Sequence, residues 1–112
     1  MVATITRDRL KERIDRGDVV VLEALPQPYW EKEHLPGALL FPLDDIDGQA
    51  VSMLPDKTAD IVVYCSNAAC NNSHIAADRL TQLGYTSVLR YTEGKQDWIE
   101  AGLPVESGSI GA

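Results

Sequence analysis

No stretch of this sequence approaches the ~18 consecutive apolar residues that a membrane-spanning helix requires, so a helical membrane protein is excluded and no membrane partner is expected. The first residues, Met1 to Arg16, contain no apolar segment of the kind that marks a secretory signal, and a cytoplasmic location is the expectation. Basic residues are in the minority, ten Lys and Arg against seventeen Asp and Glu. The resulting formal charge of -7 has the wrong sign for gripping a phosphate backbone, so nucleic acid is not an expected partner. Cysteine is limited to Cys65 and Cys70, and in a reducing compartment such a pair is reactive or metal-binding rather than a permanent staple. Repeats, low-complexity tracts and linkers are absent. Only the Ser/Gly-rich end, residues 107–112, reads as a flexible tail behind one domain over residues 1–106.

What is present is the composition of a soluble domain with one core, 45% hydrophobic and 24% charged. Thr6 can cap a helix with Asp8 in its first turn, Leu10 and Ile14 on its buried stripe and Gly17 at its end. A strand follows at Val19 to Leu22. Pro26 and Pro28 interrupt the chain, and Tyr29 to Glu33 can form a short helix before the turn at Leu35-Pro36-Gly37 leads into a buried strand, Ala38 to Phe41. Ile61-Val62-Val63-Tyr64 is apolar without alternation, the mark of a strand covered on both faces. Ser73 to Leu83 predicts a helix stopped by Gly84, Val88 to Tyr91 a strand, and the segment with Trp98 and Ala101 a last helix ended by Gly102. The alternation predicts an α/β domain with a mostly parallel sheet and helices on both faces, and such sheets bind ligands beyond the carboxyl ends of their strands.

One strand of this set runs directly into a cysteine. The segment Cys65-Ser66-Asn67-Ala68-Ala69-Cys70-Asn71-Asn72-Ser73 is small or polar throughout and joins the strand to a helix. Such a loop can turn its N–H groups inward around an anion, with the helix N-terminus adding partial positive charge. Cys65 is then expected to ionise more readily than a free thiol and to act as a nucleophile. The alternative is a small apolar residue closing a core strand, and the loop alone leaves both open.

Three further segments extend the pattern. Glu33-His34-Leu35-Pro36-Gly37-Ala38 resembles the Gly-His-Ile-Pro-Gly-Ala signature of the rhodanese family, and Val63-Tyr64-Cys65 with its loop resembles that family's strand and active-site loop. Tyr91-Thr92-Glu93-Gly94-Lys95-Gln96-Asp97-Trp98, followed by Ala101-Gly102-Leu103-Pro104, resembles its C-terminal signature. The resemblance spans nearly the whole chain. It implies a three-layer domain around a central, mostly parallel five-stranded sheet, and a sulfurtransferase in which Cys65 is the catalytic nucleophile. By that similarity Cys65 takes sulfane sulfur from thiosulfate or another persulfide donor and holds it in the loop of Ser66, Asn67, Ala68, Ala69 and Cys70. It then passes the sulfur to cyanide or to a thiol acceptor, which can be a protein. No metal or organic cofactor is implied.

The same comparison shows departures. Many loops of the family end in arginine, whereas this one ends in Cys70 and holds no Lys or Arg between Cys65 and Ser73, so a bound dianion needs Lys95 or Arg90 to reach in. Glu23-Ala24-Leu25 stands where the family often has Asp-x-Arg, and Glu93 replaces a glycine and could lie near the loop mouth. Cys70 is a candidate resolving thiol that displaces sulfide from a Cys65 persulfide. The alternative function is a non-catalytic module of the same fold that binds a partner or senses redox state through the Cys65/Cys70 dithiol. Cys-x4-Cys with His74 lacks the spacing of common zinc motifs. His34 is expected to brace its turn, and His74 to be exposed. Tyr29, Trp30 and Trp98 are expected to cover the sheet, Asp44, Asp45 and Asp47 to flank a solvated turn at Gly48, and Asn71-Asn72 to cap the following helix.

Overall fold

The computed structural model describes residues 2–108. In chain order it contains β1 (Ala3–Thr4), α1 (Arg7–Arg16), β2 (Val20–Glu23), α2 (Gln27–Lys32), β3 (Leu39–Leu40), a 3-10 turn (Leu43–Asp45), α3 (Ile46–Met53), β4 (Ile61–Tyr64), α4 (Asn72–Gln82), β5 (Val88–Tyr91) and α5 (Gly94–Glu100). The five strands form one sheet in the order β1-β5-β4-β2-β3, and every pairing is parallel.

Local chemistry sets the clearest boundaries. Thr6 Oγ1 accepts from the Arg9 amide at 3.3 Å to open α1, and Gly17 closes it in the left-handed region at φ 71°. All four residues of the central strand β4 are buried, and successive side chains leave on opposite faces. Ile61 and Val63 join Leu22, Phe41, Ala76, Ala77, Leu80 and Tyr85 in the layer under α3 and α4. Val62 and Tyr64 join Leu10, Val21, Leu35, Tyr91 and Trp98 in the layer under α1 and α5. Two covered faces are why β4 is apolar without alternation.

Several expectations are corrected. The strand expected over Ala38 to Phe41 is only Leu39–Leu40, an edge strand on which Leu39 stays 39% exposed. The solvated turn expected around Gly48 is the first turn of α3, where Asp45 caps the Gly48 amide at 3.1 Å and Asp47 pairs with Arg79. Tyr29 does not cover the sheet but is 56% exposed. Trp30 stacks on His34 with ring centroids 4.0 Å apart, and the His34 Nδ1–H donates to the Trp30 carbonyl at 2.7 Å. Asn71 makes no capping bond with its side chain, and Asn72 reaches instead to the Ala24 carbonyl at 3.0 Å. In the expected tail, the Gly108 amide donates to the Glu31 carbonyl at 2.9 Å, and residues 109–112 lie outside the described residues.

Candidate active site

Cys65 follows the last residue of β4 and so stands at the carboxyl end of the central strand, 1% exposed. Two elements distant in sequence hold the loop it opens. The first amides of α5 bind its carbonyls, Lys95 N to Cys65 O and Gln96 N to Ser66 O, both at 2.8 Å. This contact requires Gly94: its φ is 76°, and a Cβ there would lie 2.7 Å from Cys65 O and 2.8 Å from Asn67 N. From the other side, α4 supplies Ser73, whose Oγ lies 3.4 Å from Cys65 Sγ and accepts from Arg90 Nε at 3.0 Å.

Inside the loop, Asn67 folds the chain back on itself. Its side-chain oxygen accepts from Ala69 N at 3.0 Å, its carbonyl accepts from Cys70 N at 3.1 Å, and its Nδ2 donates to Gln96 Oε1 at 3.2 Å. The amides of Ala69 and Cys70 are therefore spent within the turn, contrary to the expectation that they cradle a sulfur on Cys65. The fold-back brings Cys70 over Cys65, whose Sγ donates to the Cys70 carbonyl at 3.4 Å.

The two thiols meet opposite environments. Burial pushes the Cys65 thiol up, its hydrogen bond to Cys70 acts in the same direction, and the Ser73 hydroxyl and amide offset this only in part. The expectation of a readily ionised Cys65 is thus corrected, because the amides expected to converge on it mostly do not. Partial burial also opposes ionisation of Cys70. There it is outweighed by the Cys65 S–H, by the amides of Asn72 and Ser66 and by the charge of Arg90, and the Cys70 thiol is lowered.

Of the two cations considered, only Arg90 reaches the site. Lys95 Nζ donates to Glu23 Oε2 at 3.0 Å and to the carbonyls of Tyr29 and Glu33 at 3.0 and 2.7 Å, which uses all three of its N–H donors. Glu23 is fully buried and also accepts from Tyr64 Oη at 2.6 Å, while Tyr64 Oη accepts from the Leu35 amide at 3.1 Å. Glu93 is exposed at the start of α5, and His74 is exposed on α4 beside Asp78. A shallow cleft of about 290 Å³ flanks the loop, lined by Ser66, Lys95, Gln96, Ile99 and Glu100. A larger cavity of about 410 Å³ lies by Asp60, Ser87 and Val88, at the opposite end of the strands from Cys65. The cleft is the better candidate, because parallel sheets place ligands at their carboxyl ends.

Sequence reasoning did not assign site roles to Ser73 and Gly94. Gly94 carried a usable signal, a glycine just before a helix in the resembling C-terminal segment. Ser73 carried none, since a serine in a helix's first turn is ordinary.

A parallel sheet whose central strand ends in a cysteine-opened loop, clamped by a glycine-led helix, agrees with what the sequence itself matches. The Rhodanese-like domain family is matched over residues 6–101. The chain belongs to that family. Among curated relatives, this rhodanese-like chain is 31% identical to the HTH-type transcriptional regulator Rv0324 of Mycobacterium tuberculosis over 94% of its own length and 45% of the relative's. It is 34% identical to the thiosulfate sulfurtransferase PspE of Escherichia coli over 57% of its own length and 59% of the relative's. The chain thus spans about half the length of the curated relatives it matches. Among solved structures, the BH2092 protein of Bacillus halodurans superposes with a TM-score of 0.86 at 25% identity, covering 94% of this chain and 77% of that one. The rhodanese fold is thereby established. Among the described residues, no helix is long and apolar enough to cross a membrane.

Proposed function

We propose that this rhodanese-like domain is a sulfurtransferase that carries sulfane sulfur as a persulfide on Cys65 and delivers it to a thiol acceptor in the reducing cytoplasm. The observation that carries this reading is the setting of Cys65. It lies at the carboxyl end of the central strand, with the amide and hydroxyl of Ser73 on its sulfur and Arg90 behind that hydroxyl. A sulfur losing its proton there gains two donors and a nearby cation without any rearrangement.

The reaction begins with loss of the Cys65 proton to water, the amide and hydroxyl of Ser73 favouring the thiolate left behind. Cys65 Sγ then attacks the outer sulfur of the donor. With thiosulfate, a new S–S bond forms, the donor's S–S bond breaks and sulfite leaves with the electron pair. The loop offers no cation of its own to a dianion, so donors of lower charge, such as organic persulfides, suit it better than thiosulfate. The cleft beside Ser66 and Gln96 gives the acceptor thiol a place to approach.

The test is single-turnover sulfite release from millimolar thiosulfate. The wild-type chain is expected to release sulfite and Cys65→Ala none. Equal release by the two chains, or none by either with thiosulfate and no sulfur uptake from an organic persulfide, overturns the reading. A second reading, a redox-sensing module built on the same dithiol, is favoured by the burial of Cys65 at 1% exposure and by the likeness to a protein named as a transcriptional regulator. It predicts reversible oxidation of the two thiols without catalytic turnover.

A further inference from the structure

Cys70 stands where the family's loops commonly carry a cation, and the structure gives its sulfur a role. Both cysteines are free thiols, and the Asn67 turn folds the second over the first, so that the carbonyl of Cys70 touches Cys65 Sγ at 3.4 Å. The amides at the two ends of the loop, those of Ser66 and Asn72, favour the ionised form of Cys70, while Cys65 has the Ser73 amide and hydroxyl. Cys70 is half-buried, whereas Cys65 is closed off from solvent.

From this arrangement we infer that Cys70 is a resolving thiol that attacks the Cys65 persulfide and expels hydrosulfide, making the domain a sulfide-releasing sulfurtransferase whose acceptor is a dithiol reductant. The inference rests on the Cys65 persulfide proposed above. Once Cys65 carries the extra sulfur, Cys70 loses its proton to water and its Sγ attacks Cys65 Sγ. The Cys65–Cys70 bond forms, the bond from Cys65 Sγ to the sulfane sulfur breaks, and that sulfur leaves with the electron pair as HS⁻. The two cysteine sulfurs end at the disulfide level and the sulfane sulfur, reduced to sulfide, is the oxidant, so no outside oxidant enters. An external dithiol then restores the pair by thiol–disulfide exchange.

The amides of Ser66 and Asn72 favour this outcome over a stored persulfide. They favour loss of the Cys70 proton, and the thiolate is the form that attacks.

The experiment is one turnover of the full chain with thiosulfate and no reductant, following sulfite, sulfide and intact mass. For wild type, sulfite and sulfide are expected in equal amounts, with a mass loss of about 2 Da as the disulfide forms. For Cys70→Ser, and for Cys70→Ala as a second variant, sulfite release is expected to continue, sulfide to fall at least about tenfold and a persulfide of about +32 Da to accumulate. Wild type that releases sulfite yet keeps the +32 Da adduct without sulfide overturns the resolving role and leaves the Cys65 persulfide standing, as does Cys70→Ser releasing sulfide at the wild-type rate. Where thiosulfate yields no sulfite, the same turnover is followed with an organic persulfide, and no sulfur uptake from either donor overturns the persulfide and this inference together.

Discussion

At Cys70 the donors of Ser66 and Asn72 and the charge of Arg90 stabilise an anion, while three residues further on Ser73 divides its hydroxyl between Arg90 and Cys65. The consequence is a measurable order of ionisation. Cys70 titrates below the ordinary thiol value of 9.0 and Cys65 above it. As pH rises from 6 to 10, iodoacetamide is therefore expected to label Cys70 first and Cys65 only at the alkaline end, as read by peptide mass mapping. Arg90→Met removes the cation, so the Cys70 midpoint should move up and its labelling at pH 7 should slow several-fold. A midpoint for Cys70 at or above that of Cys65 in the wild-type chain would contradict the electrostatic account of the loop.

At the scale of elements, the loop keeps its shape because α5 starts against its backbone. Gly94→Ala places a methyl 2.7 Å from Cys65 O in a chain conformation of positive φ, with backbone rather than a flexible side chain in the way. The expected cost is about 1 to 3 kcal/mol, read as a lowered urea midpoint, together with loss of sulfite release as the loop is pushed off α5. Unchanged stability and activity would mean that the α5 contact does not fix the loop. The contrast between α1 and α3 shows what the sequence could and could not reveal. Thr6, Gly17 and the apolar run of β4 act locally, so α1, β4 and β5 were legible. Asp44-Asp45-Ile46-Asp47-Gly48 is locally the chemistry of a turn, and α3 is stabilised there by distant packing, with Tyr85 Oη donating to the carbonyls of Ala50 and Leu54 at 3.1 and 2.6 Å. β1 was missed because two residues carry no periodicity, and they become a strand only beside β5. The loop divides in the same way. Its position after β4 was legible, whereas the sulfur its amides would face depended on the Asn67 turn and on an α5 clamp nearly thirty residues downstream.

Across the whole molecule, one buried charge pair ties β2, β4, α2 and α5 together beneath the loop. Glu23 is wholly buried with Tyr64 and Lys95 as partners, and burial raises its carboxyl above the ordinary glutamate value despite both. The folded chain thus holds this proton more tightly than the unfolded one. The stabilising contribution is complete below the unfolded value of 4.5 and is lost as pH rises through the folded one. Lys95→Met removes the countercharge, which raises the carboxyl further and extends that loss toward neutrality. We expect it to cost about 3 kcal/mol of unfolding free energy at pH 7 and clearly less at pH 4, in line with the penalty for breaking a buried pair. Glu23→Gln combined with Lys95→Met leaves no unpaired charge and should recover most of the loss at pH 7. If Lys95→Met is equally destabilised at both pH values, Lys95 acts through its bonds to the Tyr29 and Glu33 carbonyls instead of its charge. The double variant would then fail to recover, because those carbonyls would still lack their donor.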